Sequence, residues 1–240
     1  MSSAPGGDYV TRYVTTLVMT RARVLVLLAS LACGGSAAKP ATSEVSPAPA
    51  TVLARPGELS RFAALKVMVL PAQYVQPDDH PAWRNTATVE KALLASLDSA
   101  VEVALNQRGM QTVWVYPTAL QRSAKRNPTY LTDPYVMQAL VPVRQAIKKP
   151  QDALSEPFAS QLRALAGVSD SRYAYIPLVL RFEPVGLTAQ SRAVLRSVVV
   201  DARGAQVVWV GEVASEPQAA FSAAILASLA QRVADLVVPR

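Results

Sequence analysis

The sequence predicts an α/β (α+β) domain: a mixed sheet of about five strands, with a βαβ unit, a C-terminal antiparallel meander and packed helices. Three observations predict it. A short apolar run, Lys66-Val-Met-Val-Leu-Pro-Ala72, precedes a long helical stripe and then a β-rich stretch, which is the pattern of a βαβ unit. Residues 173–213 switch to two-residue alternation broken by a tight-turn sequence. The chain closes on an alanine-rich stretch with helical spacing.

The elements follow in order. Lys66 to Ala72 reads as a buried strand ended by Pro71. Asn85 to Thr88 offer helix caps, and Glu90 places a carboxylate in the first turn, where it suits the helix dipole. Val89, Leu93, Leu97, Val101 and Leu105 recur every fourth residue, so a helix of several turns is expected, stopped by Gly109. Met110 to Tyr116, with Val113, Trp114 and Val115, favours a second strand, parallel to the first. In residues 117–150, Asp133-Pro134 has the form of an N-cap and first helical residue, but a helix from Pro134 to Lys148 would have to carry Pro142. Ser155-Glu-Pro opens a clearer helix through Phe158, Leu162 and Leu165, with Gly167 as its stop.

Tyr173 to Glu183 alternate, which puts Ile176, Leu178, Leu180 and Phe182 on one face and Arg181 and Glu183 on the other. Arg192–Asp201 and Ala205–Val213 flank the turn Asp201-Ala-Arg-Gly204 and complete the meander. Phe221 to Val237 is the closing helix.

Ahead of this body lies a segment of a different kind. Arg21 and Arg23 precede a short apolar run, Val24 to Ala32, which ends at Cys33-Gly34-Gly35. A basic start, a short apolar centre and small residues before the cut make a secretion signal. Ser30-Leu31-Ala32-Cys33 resembles the bacterial lipobox, whose cysteine becomes lipidated, although Ser30 and Leu31 stand where the usual box has leucine and a small residue. The run is too short to span a bilayer, which takes about 20 apolar residues. Met19 gives a better start for such a signal than Met1. The expected organisation is residues 1–32 as signal peptide, 33–60 as lipidated cysteine and tether, and 61–240 as one periplasmic domain. Residues 34–60 are rich in Pro, Ala, Ser and Gly, a composition that cannot bury enough surface to order itself. As a random coil it reaches roughly 25–30 Å.

Composition narrows the function. The chain carries 24 basic and 17 acidic residues. Removal of residues 1–32 leaves 21 basic and 16 acidic, a net charge of +5. That suits weak steering toward anionic lipid or cell-wall polymer, and lacks the basic stripe with interleaved aromatics of a nucleic-acid binder. Cys33 is the only cysteine, so no disulfide forms within one chain. His80 is the only histidine, set in Pro77-Asp78-Asp79-His80-Pro81, where neighbouring side chains converge poorly on a metal. No Gly-x-Ser-x-Gly and no glycine-rich phosphate loop occurs in the folded body, so no cofactor and no enzymatic activity are expected.

The order of elements resembles the α/β domain of several bacterial envelope lipoproteins. The residues that carry it are Lys66-Val-Met-Val-Leu-Pro71, Leu165-Ala-Gly-Val-Ser-Asp-Ser-Arg-Tyr-Ala-Tyr-Ile176 and Val199-Val-Asp-Ala-Arg-Gly-Ala-Gln-Val-Val-Trp209. The domain is similar to the curli-secretion channel lipoproteins, to the lipoprotein activators of penicillin-binding proteins, and to the N-terminal domain of the TolB translocation protein. The resemblance implies an anchored binding or assembly module that serves an envelope protein, with a subunit of an oligomeric secretion or transport complex as the alternative and an envelope hydrolase a remoter one. Pro128, Pro134, Pro142 and Pro150 depart from the barrel-forming segments of the curli channel, because proline removes ladder donors. Glycine after the cysteine, where an inner-membrane retention signal has aspartate, favours the outer membrane. The expected partner surface gathers Arg122, Lys125, Arg126, Tyr130, Tyr135, Arg144, Lys148 and Lys149.

Overall fold

The structure, a computed structural model, describes residues 53–76, 90–137, 147 and 149–240. The strands are β1 (Val67–Val69), β2 (Trp114–Val115), β3 (Tyr173–Pro184), β4 (Ser191–Asp201) and β5 (Gln206–Ala214). The helices are α1 (Glu90–Asn106), α2 (Pro117–Arg126), α3 (Phe158–Ser169) and α4 (Ala223–Val237). One sheet runs in the order β2-β1-β3-β4-β5. β1 lies parallel to both β2 and β3, and β3-β4-β5 form an antiparallel meander. The mixed α/β sheet read from the sequence is the sheet observed.

Alternation along β1 divides the apolar residues between two cores. Val67 and Val69 join Leu97 and Val101 of α1 and Leu229 and Val233 of α4. Met68 and Leu70 join Leu120 of α2 and Phe158, Leu162 and Leu165 of α3. Successive side chains of a strand point to opposite faces, so a strand buried on both sides reads as an unbroken apolar run. The sheet is thereby covered on both faces. Within the first core Tyr175 is fully buried, and its hydroxyl meets Ser197 Oγ at 2.8 Å.

Leu180 and Phe182 do not share a face with Ile176 and Leu178. The register against β4 shifts between Pro177 and Val179. Pro177 has no N–H to give to either neighbouring strand, and a bulge is where a central strand tolerates that loss. One extra residue inverts the alternation: Ile176 and Leu178 enter the second core, Leu180 and Phe182 the first. Arg181 and Glu183 therefore emerge on the side of the second core. There Arg181 grips Glu212 of β5 at 2.8 and 3.0 Å, and Glu183 accepts from Arg192 of β4 at 2.5 and 2.8 Å.

Four further details revise the sequence reading. The second strand shrinks to Trp114–Val115, because Met110–Thr112 close a 3-10 turn behind Gly109, whose φ is 84°. α3 runs through Gly167 to Ser169, and Asp170 supplies the left-handed cap with φ 50°. α2, unread in the sequence, begins with Pro117 at its first position. The end of the expected tether belongs to the folded body: Leu59 is fully buried, Ala54 N–H donates to Glu212 O, and Gly57 N–H donates to Asp235 O. Residues 85–88, the expected caps of α1, lie outside the described residues.

Candidate functional site

α2 turns Leu120 and Ala124 inward and leaves Arg122, Lys125 and Arg126 exposed. Lys125 and Arg126 occupy its last turn, where cations complement the carbonyl end of the helix. None of the three pairs with an acid among the described residues. The chain then leaves the helix at Asn127, whose side chain donates to Ser123 O at 3.0 Å. Tyr130 follows at 81% exposure, Tyr135 at 43% and Val136 at 70%. Leu131 and Met137 anchor this segment in the second core.

Asp133 organises the turn between them. Its Oδ1 accepts from Tyr135 N–H at 2.9 Å, and its Oδ2 accepts from Gln121 Nε2 at 3.0 Å. Val136 and Met137 N–H both donate to its carbonyl. The N-cap geometry expected at Asp133-Pro134 is present over this one turn, and residues 138–146 lie outside the described part. Three apolar or aromatic side chains are thus held on the surface by a buried pair and a capped turn, next to three unpaired cations.

The expected cluster is only partly assembled. Lys149 does not join α2, because its neighbours Gln151 and Asp152 pair with Val207 of β5, at the sheet edge opposite β2. Sequence proximity to residues 144 and 148 suggested one patch, whereas the residues that follow Lys149 lie along β5. Arg144, Lys148, Cys33, Asp78, Asp79 and His80 lie outside the described residues.

A second polar locus went unread in the sequence. It stands where β1 and β2 end, against α1. Asp98 and Glu102 are one turn apart on α1, and Asp98 Oδ1 accepts from Ala72 N–H at 2.7 Å, just past β1. Burial pushes the Asp98 carboxyl up to about 7, against the Ala72 bond, with the Glu102 charge adding to the rise. Tyr116, just past β2, is 5% exposed, and its hydroxyl has no hydrogen-bond partner among the described residues. Burial and the Glu102 charge raise the Tyr116 phenol. Burial first, then Asp98, Asp133 and Glu102, raises the Tyr135 phenol as well, so Tyr135 borders this acidic locus. The i, i+4 spacing of two acids beside the apolar stripe of α1 was the available signal; which of them would be half-buried was not readable.

Clefts also lie elsewhere among the described residues. One of about 340 Å³ is lined by Leu53, Arg192, Glu216, Arg232 and Asp235, and one of about 320 Å³ by Arg163, Asp170, Ser171 and Arg203. Most of their charges are already paired, Arg232 with Glu216, Arg163 with Glu156 and Asp170 with Lys66. Among the described residues there is no group of three His, Cys, Asp or Glu side chains arranged to hold a metal. No helix among them is long and apolar enough to cross a membrane.

Fold and surface together define an α/β domain whose sheet carries helices on both faces, with an exposed aromatic and basic segment behind α2. No protein-family model matches the chain, and no curated protein matches it. Solved structures similar to it include the PelC dodecamer from Paraburkholderia phytofirmans, at 12% identity and a TM-score of 0.35, covering 78% of this chain and 95% of that one. The lipoprotein GNA1162 from Neisseria meningitidis is similar at 14% identity and a TM-score of 0.35, over 68% and 90%. LpoB from E. coli is similar at 11% identity and a TM-score of 0.33, over 91% and 96%. These neighbours include lipoproteins, the kind of protein to which the sequence resemblance pointed. Likeness this loose adds no weight to a function.

Proposed function

We propose that the protein is a lipid-anchored module of the bacterial cell envelope, attached through Cys33, that binds an envelope protein and performs no catalysis itself. The observation that carries the binding role is the surface formed by α2 and the segment behind it. There Tyr130, Tyr135 and Val136 are held in solvent beside Arg122, Lys125 and Arg126. Monomeric surfaces scatter single apolar residues, whereas aromatics grouped with arginine are the composition of an interface centre. Three acyl chains on one cysteine would give stable anchoring, since two already suffice. Gly34 after Cys33 favours the outer membrane, and the Pro/Ala-rich stretch behind it supplies reach toward the partner.

The test places a photo-crosslinking amino acid at Tyr130 in the full chain, expressed in a Gram-negative host of its own kind. A discrete envelope adduct is expected from that position and none from Val168, which is exposed on α3. Adding Arg122→Glu with Arg126→Glu is expected to cut the adduct about tenfold, as loss of two interface cations should. Equal adducts at both positions, or a mature protein whose intact mass shows an unmodified Cys33 thiol, would defeat the proposal.

A further inference from the structure

β5 is the last strand of the sheet, so one side of its backbone has no strand of the sheet beside it. An open edge presents unpaired N–H and C=O groups, and folded proteins cover or blunt such edges. The start of β5 is covered: Gln151 N–H donates to Val207 O, and Val207 N–H donates to Asp152 O. The rest is followed by the incoming chain. Ala54 N–H donates to Glu212 O at 2.7 Å, Trp209 Nε1 to Glu58 Oε2 at 3.1 Å, and Arg61 Nη2 to Val208 O at 3.3 Å. As the chain advances from 54 to 61, its partners step back from 212 to 208, so it runs antiparallel to β5.

The bond from Ala54 shows that the Glu212 carbonyl points away from β4. In an antiparallel strand the N–H and C=O of one residue point the same way, and every second residue repeats that direction, so Ala214 faces outward too. Neither its N–H nor its C=O is hydrogen-bonded to a described residue. The register that sets Ala54 opposite Glu212 sets Val52 opposite Ala214. Past Ala214 the edge closes, because Glu216 N–H donates to Ser228 Oγ at 2.9 Å. The described chain begins at Leu53, on the wall of the cleft of about 340 Å³, with Val213 and Ser215 from the end of β5 and Leu236 of α4 on the other walls.

We propose that the open end of β5 is the docking site for the chain's own residues Ala50, Thr51 and Val52, which add to the sheet edge as a short strand. Val52 and Ala214 exchange both backbone hydrogen bonds. Thr51 falls on the side of Leu53 and enters the cleft, since side chains two apart in a strand share a face. Thr51 and Val52 are β-branched and suit a strand, and Pro49, which has no N–H, ends it. A segment joined directly to the site reaches it at high local concentration, an advantage that neither a second copy nor a partner's strand has. The free leash is then residues 34–49, with a random-coil reach of roughly 20–25 Å. It leaves the body from the end of β5, at the sheet edge opposite β2. This docking depends neither on acylation of Cys33 nor on the proposed partner surface.

The test is amide hydrogen exchange of the full mature chain, followed by NMR at two protein concentrations about tenfold apart. The Val52 and Ala214 amides are expected to exchange at least about tenfold more slowly than in an unstructured peptide, and equally at both concentrations. Thr51→Gly combined with Val52→Gly keeps every N–H and the length of the leash but weakens the extended conformation. The pair is expected to speed Ala214 exchange about tenfold while the β4 and α4 amides stay protected. Free exchange of both amides, protection of Ala214 that disappears on dilution because a second copy supplied it, or protection that the two glycines leave intact would each overturn the proposal.

Discussion

Asp98→Asn is expected to stabilise the protein by about 2 kcal/mol at pH 8 and to change it little at pH 4. The Asp98 carboxyl is raised by burial to about 7, well above its ordinary 3.8. Between those values the native state holds a proton that the unfolded chain has released, so stability falls as pH rises. The stabilisation is complete below about pH 4 and is lost as pH passes through 7. Asparagine keeps an oxygen for Ala72 N–H and cannot ionise. Other acids have the opposite slope. Glu156 is lowered by its bonds to Ser160 and Arg163, and Asp201 is lowered because its bonds with Arg172 outweigh its partial burial. Their effect is common to both proteins and cancels in the difference. Urea midpoints of the two proteins at five pH values between 4 and 8 would show the curves diverging upward with pH; parallel curves would remove the basis for a buried, protonated Asp98.

Arg181→Ala is expected to cost about 2 kcal/mol, more than an ordinary surface pair is worth. The guanidinium is 18% exposed, holds both oxygens of Glu212 and stands 3.6 Å from Glu183. Its removal leaves two part-buried carboxylates on one face of the sheet, of which only Glu183 retains an arginine among the described residues, Arg192. The loss is therefore mostly the cost of an uncompensated charge. Replacing Arg181 and Glu212 together by methionine is expected to recover more than half of it, since apolar groups of similar volume need no partner. A double-mutant cycle in urea would measure the coupling. An Arg181→Ala loss under about 0.5 kcal/mol would mean that water screens the network after all.

That network also shows where reading a sequence stops. The alternation of residues 173–183 was legible, and so was its division into apolar and charged sides. The inversion at Pro177 was not, because a bulge depends on which strands flank β3 and on the donor that proline withholds from them. Leu180 and Phe182 were consequently read onto the wrong side of the sheet. Gly167 looked like a helix stop on the usual preference, but the Cβ position there meets nothing, and α3 continued until Asp170 took the left-handed conformation. The exposure of Tyr130, Tyr135 and the α2 cations was legible. Lys149 stands apart from them, beside residues that pair with β5, which distance along the chain does not reveal.

The amino-acid order alone determined the class of fold, since apolar periodicities of two and of about four residues specify strands and helices before any packing occurs. It also carried the cysteine context from which an envelope anchor is proposed. Only the tertiary structure decided which acids lose their water. Asp98 and Glu102 are one turn apart on any helix, but the half-buried position of the pair comes from β1 and β2 ending beside α1. Burial is set by contacts distant in sequence, and the field of a charge by what surrounds it. Both are properties of the folded chain.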